Sequence, residues 1–205
     1  MVISFFEICV IGYFLGCLPF AYLAVRFIKN TDIRNLGSGN VGATNALRVL
    51  GPLPAVLVLF FDGLKGWLAV FLAAMFRTAF SAELFNWVLV AAGVSAILGH
   101  LFPVWLGFKG GKGVATGAGV LLALSKEIFF MAVVVAVVVI ILTRYVSLGS
   151  IIGVATVFLL MVYFRKPLPF LILALFAGLF IIGKHYGNIQ RLLNGTEKKI
   201  GQEKS

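Results

Sequence analysis

Residues 128–143 read Ile-Phe-Phe-Met-Ala-Val-Val-Val-Ala-Val-Val-Val-Ile-Ile-Leu-Thr, sixteen positions without a charge, set between Lys126-Glu127 and Arg144. Such a run suits a helix with lipid around it. A bilayer core about 30 Å thick takes roughly 20 apolar residues, and a helix satisfies every backbone polar group within the segment. The pattern repeats outward in both directions. Apolar runs bounded by charge, Gly and Pro lie at 3–25, 53–76, 84–106, 112–125, 128–143, 147–163 and 168–184. The fourth and fifth are separated only by Ser125, Lys126 and Glu127, so the fourth also reads as a short helix that crosses incompletely. The 205 residues are 61% hydrophobic and 12% charged with a mean hydropathy of +1.10, far from an ordinary soluble domain. The expectation is an all-α integral membrane protein of seven transmembrane helices, one membrane-embedded domain over 1–205, with no length left for a soluble domain.

Charge sets the orientation. Of the 17 basic residues, 12 fall on loops of one side if seven spans are right: Arg26, Lys29, Arg34, Arg48, Lys109, Lys112, Arg144, Lys184, Arg191, Lys198, Lys199 and Lys204. Arg77, Lys126, Arg165 and Lys166 lie opposite, and Lys65 is inside the second span. Positive residues favour the cytoplasmic side, which puts the N-terminus outside and the C-terminus inside. In a soluble chain a formal charge of +10 would suggest nucleic acid; here it marks a membrane face, and no nucleic-acid partner is expected. The first span has no basic residues before it and reads as retained rather than cleaved. Cys9 and Cys17 lie within it as small packing residues.

Three polar segments could carry chemistry. Gly37-Ser38-Gly39-Asn40-Val41-Gly42-Ala43-Thr44-Asn45-Ala46-Leu47-Arg48 contains a literal G-x-G-x-x-G, but no strand precedes it and the acidic residue about 20 positions on, Asp62, is within a span. A dinucleotide fingerprint is therefore excluded. Glycines, Ser38, Asn40, Asn45 and Arg48 still suit a phosphate cradle; a flexible polar turn before a short helix accounts for them equally well. In the second segment, Gly99-His100 through Lys109-Gly110-Gly111-Lys112-Gly113-Val114-Ala115-Thr116, a Walker A loop would need Gly at 106 and Ser or Thr at 113 where Leu106 and Gly113 stand. Two lysines among glycines at a helix N-terminus nevertheless favour a phosphate over a plain membrane anchor. The third segment places Lys184, Asn188 and Arg191 at helical spacing beside His185, with Glu197 further on. By itself that could be a basic tail against anionic lipid. Arg144 and Ser147 join the same side. Asp62 and Lys65, three apart inside a span, read as an ion pair at least as readily as catalytic groups. With only His100 and His185 and no carboxylate or cysteine cluster, no protein-bound metal and no cofactor is expected.

Taken together and in order, the segments at 37–45, 99–116 and 185–197 resemble the bacterial acyl-phosphate:glycerol-3-phosphate acyltransferases, the PlsY family of integral membrane enzymes, over nearly the whole chain. The resemblance implies transfer of a fatty acyl group from acyl phosphate to the 1-hydroxyl of glycerol 3-phosphate, giving lysophosphatidic acid and phosphate. It implies Ser38, Arg48, Lys109, His185 and Asn188 as catalytic residues around glycerol 3-phosphate. It also implies Gly110, Gly111, Lys112 and Gly113 around the acyl phosphate, assisted by Asn40, Asn45 and Ser147. Gly37, Gly39, Gly42, His100 and Arg191 complete the expected substrate-binding set. No CoA donor is implied: where a His-x4-Asp pair would put Asp after His100 the chain has Trp105. The proton of the hydroxyl has two destinations, His185 as general base or the donor's own phosphate. Expected partners are glycerol 3-phosphate, long-chain acyl phosphate and membrane lipid, with the chain acting as a monomer in a bacterial inner membrane and its site on the cytoplasmic face. A transporter or lipid-binding scaffold is the alternative. The crowding of polar motifs on one face opposes the first, and the glycines oppose the second.

Overall fold

The computed structural model describes residues 4–202, so Lys204 lies outside the described residues. The described chain is helical, with no strand among the described residues, and falls into two compact units, Met1–Leu124 and Ser125–Ser205.

The first unit holds α1 (Phe5–Gly16), α2 (Phe20–Lys29), α3 (Ala43–Leu50), α4 (Pro52–Ala74), α5 (Ala82–Leu101) and α6 (Val114–Leu124). Ser4 and Glu7 close a capping box at the start of α1. The first apolar run is interrupted where Pro19, lacking an N–H and constraining the residue before it, separates α1 from α2. Gly51, at φ 86°, ends α3, and Pro52 opens α4 at the position where its missing donor costs nothing. Glycines then let backbones meet. A Cβ on Gly16 or Gly99 would collide with α5 or α1, and one on Gly66 or Gly119 with α6 or α4. This is the small-residue packing that serves helices without a hydrophobic driving force between them.

The second unit holds α7 (Lys126–Thr143), α8 (Val146–Tyr163), α9 (Leu168–Gly183) and α10 (Tyr186–Leu193). Arg144, left-handed at φ 62°, makes the tight turn from α7 to α8. Phe130, Val134, Val138, Ile141 and Leu142 remain exposed on α7, as expected of a surface solvated by acyl chains.

Among the described residues, five segments are long and apolar enough to cross a bilayer: Phe5–Lys29, Pro52–Ala74, Ala82–Leu106, Lys126–Thr143 and Val146–Tyr163. A sixth is Leu168–Gly183 taken with Tyr186–Leu193, bent by 60° between them. The run expected at 112–125 is the eleven-residue α6, about 16 Å long and half a bilayer core. Its first residues are glycine turn instead of helix, which explains the shortfall.

Candidate functional site

In the first unit, the chain between α2 and α3 is built around one side chain. Asn45 is fully buried; its side-chain oxygen accepts the Ser38 N–H at 2.8 Å, and its Nδ2 donates to the carbonyls of Ile33 and Leu36. Gly37 and Gly39, at φ 60° and 72°, supply the left-handed turns that swing this loop back over α3. A Cβ on Gly37 would strike the Asn45 side chain. Ser38 and Arg48 are exposed, with Asn40 and Gly42 half-buried between them. Arg34 forks onto Asp32, at 2.7 Å for the shortest contact, and donates to the Leu106 carbonyl at 3.1 Å. The hydrogen bonds from Arg34 hold the Asp32 carboxyl below its usual range. They tie this loop to the segment that follows α5.

That segment runs through Gly107 and Phe108, both left-handed, to Gly113 at φ 86°, where α6 begins. Gly110 and Gly111 donate their N–H groups to the carbonyls of Leu101 and His100, at 3.2 and 3.1 Å, and so cap the end of α5. Neither position has room for a side chain, since a Cβ on Gly110 would meet the His100 carbonyl and one on Gly111 the His100 ring. Lys109 is exposed, Lys112 half-buried, and the first amides of α6 follow Gly113. Beneath the turn, Lys65 Nζ lies 2.6 Å from Asp62 Oδ1 and donates to the Leu18 carbonyl at 2.7 Å, a carbonyl exposed by the break at Pro19. His100 Nδ1 is 3.5 Å from the same carboxylate oxygen.

In the second unit, side chains from the start of α8 and from α10 hold a carboxylate of the tail. Glu197 Oε1 accepts from the Ser147 hydroxyl at 2.7 Å and from Asn188 Nδ2 at 2.6 Å, while Oε2 accepts from Arg191 Nε at 2.7 Å. Burial pushes the Glu197 carboxyl up, but the three hydrogen bonds and the Arg191 charge prevail and hold it below the ordinary glutamate value. His185 is buried at the start of α10, its Nδ1 2.8 Å from the Ile181 carbonyl. A carbonyl only accepts, so the proton of the neutral ring sits on Nδ1 and the lone pair on Nε2. The Arg144 guanidinium donates to the Ile200 carbonyl at 2.6 Å, and the Ile200 N–H donates to Arg144, pinning the tail to the α7–α8 turn.

Several expected substrate contacts therefore have internal duties. Asn45 is inside its loop rather than on it. The amides of Gly110 and Gly111 are engaged by α5, and His100 lies under the glycine turn. Ser147 and Arg191 hold Glu197. Ser38, Arg48 and Lys109 are exposed on the first unit, and His185 and Asn188 share one corner of the second. Glu197 belongs to the third segment but carries no expected role there, and the structure makes it the acceptor that Ser147, Asn188 and Arg191 share. Its signal is a carboxylate set among Arg191, Lys198 and Lys199.

A family model described as glycerol-3-phosphate acyltransferase matches residues 6–195. A glycerol-3-phosphate acyltransferase of Gloeobacter violaceus is 47% identical, covering 93% of this chain and 92% of its own. One from Synechococcus elongatus is 44% identical over 100% and 99%. Two crystal structures of PlsY, an integral membrane glycerol 3-phosphate acyltransferase, are similar throughout. The glycerol 3-phosphate form has a TM-score of 0.89 at 39% identity, covering 97% of this chain and 96% of that one. The lysophosphatidic acid form has a TM-score of 0.86 at 37% identity with the same coverage. The helices that can cross a bilayer, the cationic glycine turns and these likenesses agree, and the chain belongs to the glycerol-3-phosphate acyltransferase family of membrane acyltransferases.

Proposed function

We propose that this chain transfers a fatty acyl group from acyl phosphate to the 1-hydroxyl of glycerol 3-phosphate, forming lysophosphatidic acid and inorganic phosphate. The observation that carries this reading is the make-up of the polar loops, exposed cations and glycine turns suited to phosphate groups, with no base hydrogen-bonded to the Ser38 hydroxyl among the described residues. A site without an activated nucleophile depends on a donor that is already activated. Acyl phosphate is a mixed anhydride with a phosphate leaving group, so positioning and charge neutralisation supply most of the catalysis.

Arg48 and Lys109 bind the phosphate of glycerol 3-phosphate, and Ser38, His185 and Asn188 orient its glycerol. Lys112, Gly113 and the N-terminal amides of α6 receive the phosphoryl group of the donor, with Asn40 alongside. Gly110 and Gly111 shape that turn, while Asn45, Ser147 and Arg191 hold the loops in place. The hydroxyl oxygen attacks the acyl carbon, the carbon–oxygen bond to phosphate breaks, and the leaving phosphate takes up the proton. In this route His185 only orients the alcohol. A second reading makes His185 the general base, and the Nδ1 proton held by Ile181 favours it because Nε2 then carries the lone pair.

The likeness along both units supports a single membrane-embedded domain, and the proposal takes it to act as a monomer. Basic loops support seven membrane segments, α6 among them as a short one, with the N-terminus outside and the site on the cytoplasmic face of a bacterial inner membrane. The test is product formation by the detergent-purified protein from labelled glycerol 3-phosphate with palmitoyl phosphate, palmitoyl-CoA or palmitoyl carrier protein. Lysophosphatidic acid from palmitoyl phosphate alone is expected, and product from either thioester alone overturns the reading.

A further inference from the structure

Asp62, Lys65 and His100 are three ionisable side chains 1%, 3% and 8% exposed within the apolar helices of the first unit. Charge is costly there, and a buried ion pair is commonly no more stabilising than apolar residues of the same volume. Fold stability alone is therefore a poor reason for the pair. Its contacts run in one direction. Lys65 is anchored at the α1–α2 break by the Leu18 carbonyl, with the Phe20 ring 5.6 Å from its Nζ. Asp62 Oδ1 faces both Lys65 and His100. The opposite edge of the His100 ring, Nε2 and Cε1, abuts Gly111, and the His100 carbonyl accepts the Gly111 N–H. A small cavity lined by Cys17, Asp62, Lys65, His100, Gly110 and Gly111 joins the cluster to the turn.

We infer that Asp62, Lys65 and His100 form a buried positioning unit that fixes the Gly110–Gly113 turn, and through it the binding of the donor's phosphoryl group. Lys65 fixes Asp62, Asp62 fixes the tilt of the His100 ring, and the ring with its carbonyl fixes the glycine backbone. Lys112 and the opening amides of α6 follow directly from that backbone. Turn positioning stands on geometry alone; its link to the donor rests on the function proposed above. None of the three touches substrate in this scheme, so they are positioning residues.

The test compares the full-length protein in detergent with Asp62→Asn/Lys65→Met, which removes both charges together and leaves neither buried alone. Hydrogen exchange of peptides covering 107–113 reads the turn without any substrate. We expect exchange there to rise about 10-fold, with α7 and α8 unchanged and the melting temperature close to wild type, since replacing the whole pair is often neutral. In the acylation assay, KM for palmitoyl phosphate should rise about 10-fold and KM for glycerol 3-phosphate less than about 2-fold, a tenfold change being about 1.4 kcal/mol. Unchanged exchange at 107–113, or an increase spread evenly over the chain, overturns the positioning unit. A local increase with both KM values equally raised keeps the turn positioning and overturns the donor assignment. Should the double variant not fold, Asp62→Asn, the same size as the native residue, must give the local increase; no increase overturns the proposal.

Discussion

Asn45 accepts the Ser38 N–H on its side-chain oxygen at 2.8 Å, so the residue that presents the exposed hydroxyl is held from inside the loop. Asn45→Ala leaves that amide without its partner and takes one of two hydrogen bonds from each of the Ile33 and Leu36 carbonyls, which keep the N–H groups of Leu36 and Gly39, at about 0.5–1.5 kcal/mol per hydrogen bond lost. Thermal stability and activity should fall together. Ser38→Ala should lower activity about 10-fold or more with no change in melting temperature. Scanning fluorimetry beside the acylation assay separates the two, and an Asn45→Ala protein of native stability with only a raised substrate KM would move Asn45 onto the substrate.

His185→Gln separates the two proton routes. If the leaving phosphate takes the proton, the variant keeps most of its kcat and an unchanged pH profile. If His185 is the base, kcat falls about 10²–10⁴-fold and the acid limb of the profile disappears. Both follow from initial rates between pH 5 and 9 at saturating substrates.

Lys109 and Lys112 should divide between the substrates. Lys109→Ala is expected to raise KM for glycerol 3-phosphate about 10-fold with a small effect on palmitoyl phosphate, and Lys112→Ala the reverse. Equal effects of each variant on both KM values would merge the two phosphate positions into one.

The Glu197 clasp should be acid-sensitive. Its folded carboxyl titrates below the ordinary value of about 4.3, so its contribution is fully present above that value and is lost as pH falls through the lower folded one. Protection of the tail after α10 from proteolysis should be constant from pH 8 to 6 and fail only below the ordinary glutamate value. Glu197→Gln, which keeps the shape but not the charge facing Arg191, should weaken that protection at every pH and flatten its pH dependence.

Much of this was legible in the sequence because it depends on chain-local physics. Apolar runs between charges located the bilayer helices, and glycines at 37, 39 and 113 located the turns. Contacts distant in sequence were not legible. Cys17-Leu18-Pro19 sits in an apolar run and looks like helix until Lys65, 47 residues on, is seen to need the Leu18 carbonyl. Likewise Gly110 and Gly111 look like open amide donors until the end of α5 is folded against them. Asn45 lies in a polar motif that reads as substrate-facing, and only packing shows that it faces inward. Nothing near Ser147 announces that its partner is Glu197, 50 residues later.

That last separation also orders events during synthesis. Ser147 and Asn188 leave the ribosome before Glu197, and the hydrogen bonds aligning them with it cannot form until residue 197 has been added. A nascent chain halted between residues 188 and 197 carries Asn188 beside His185 without the carboxylate that aligns it. Alignment of the Asn188 side chain by Glu197 is thus among the last steps of building the second unit.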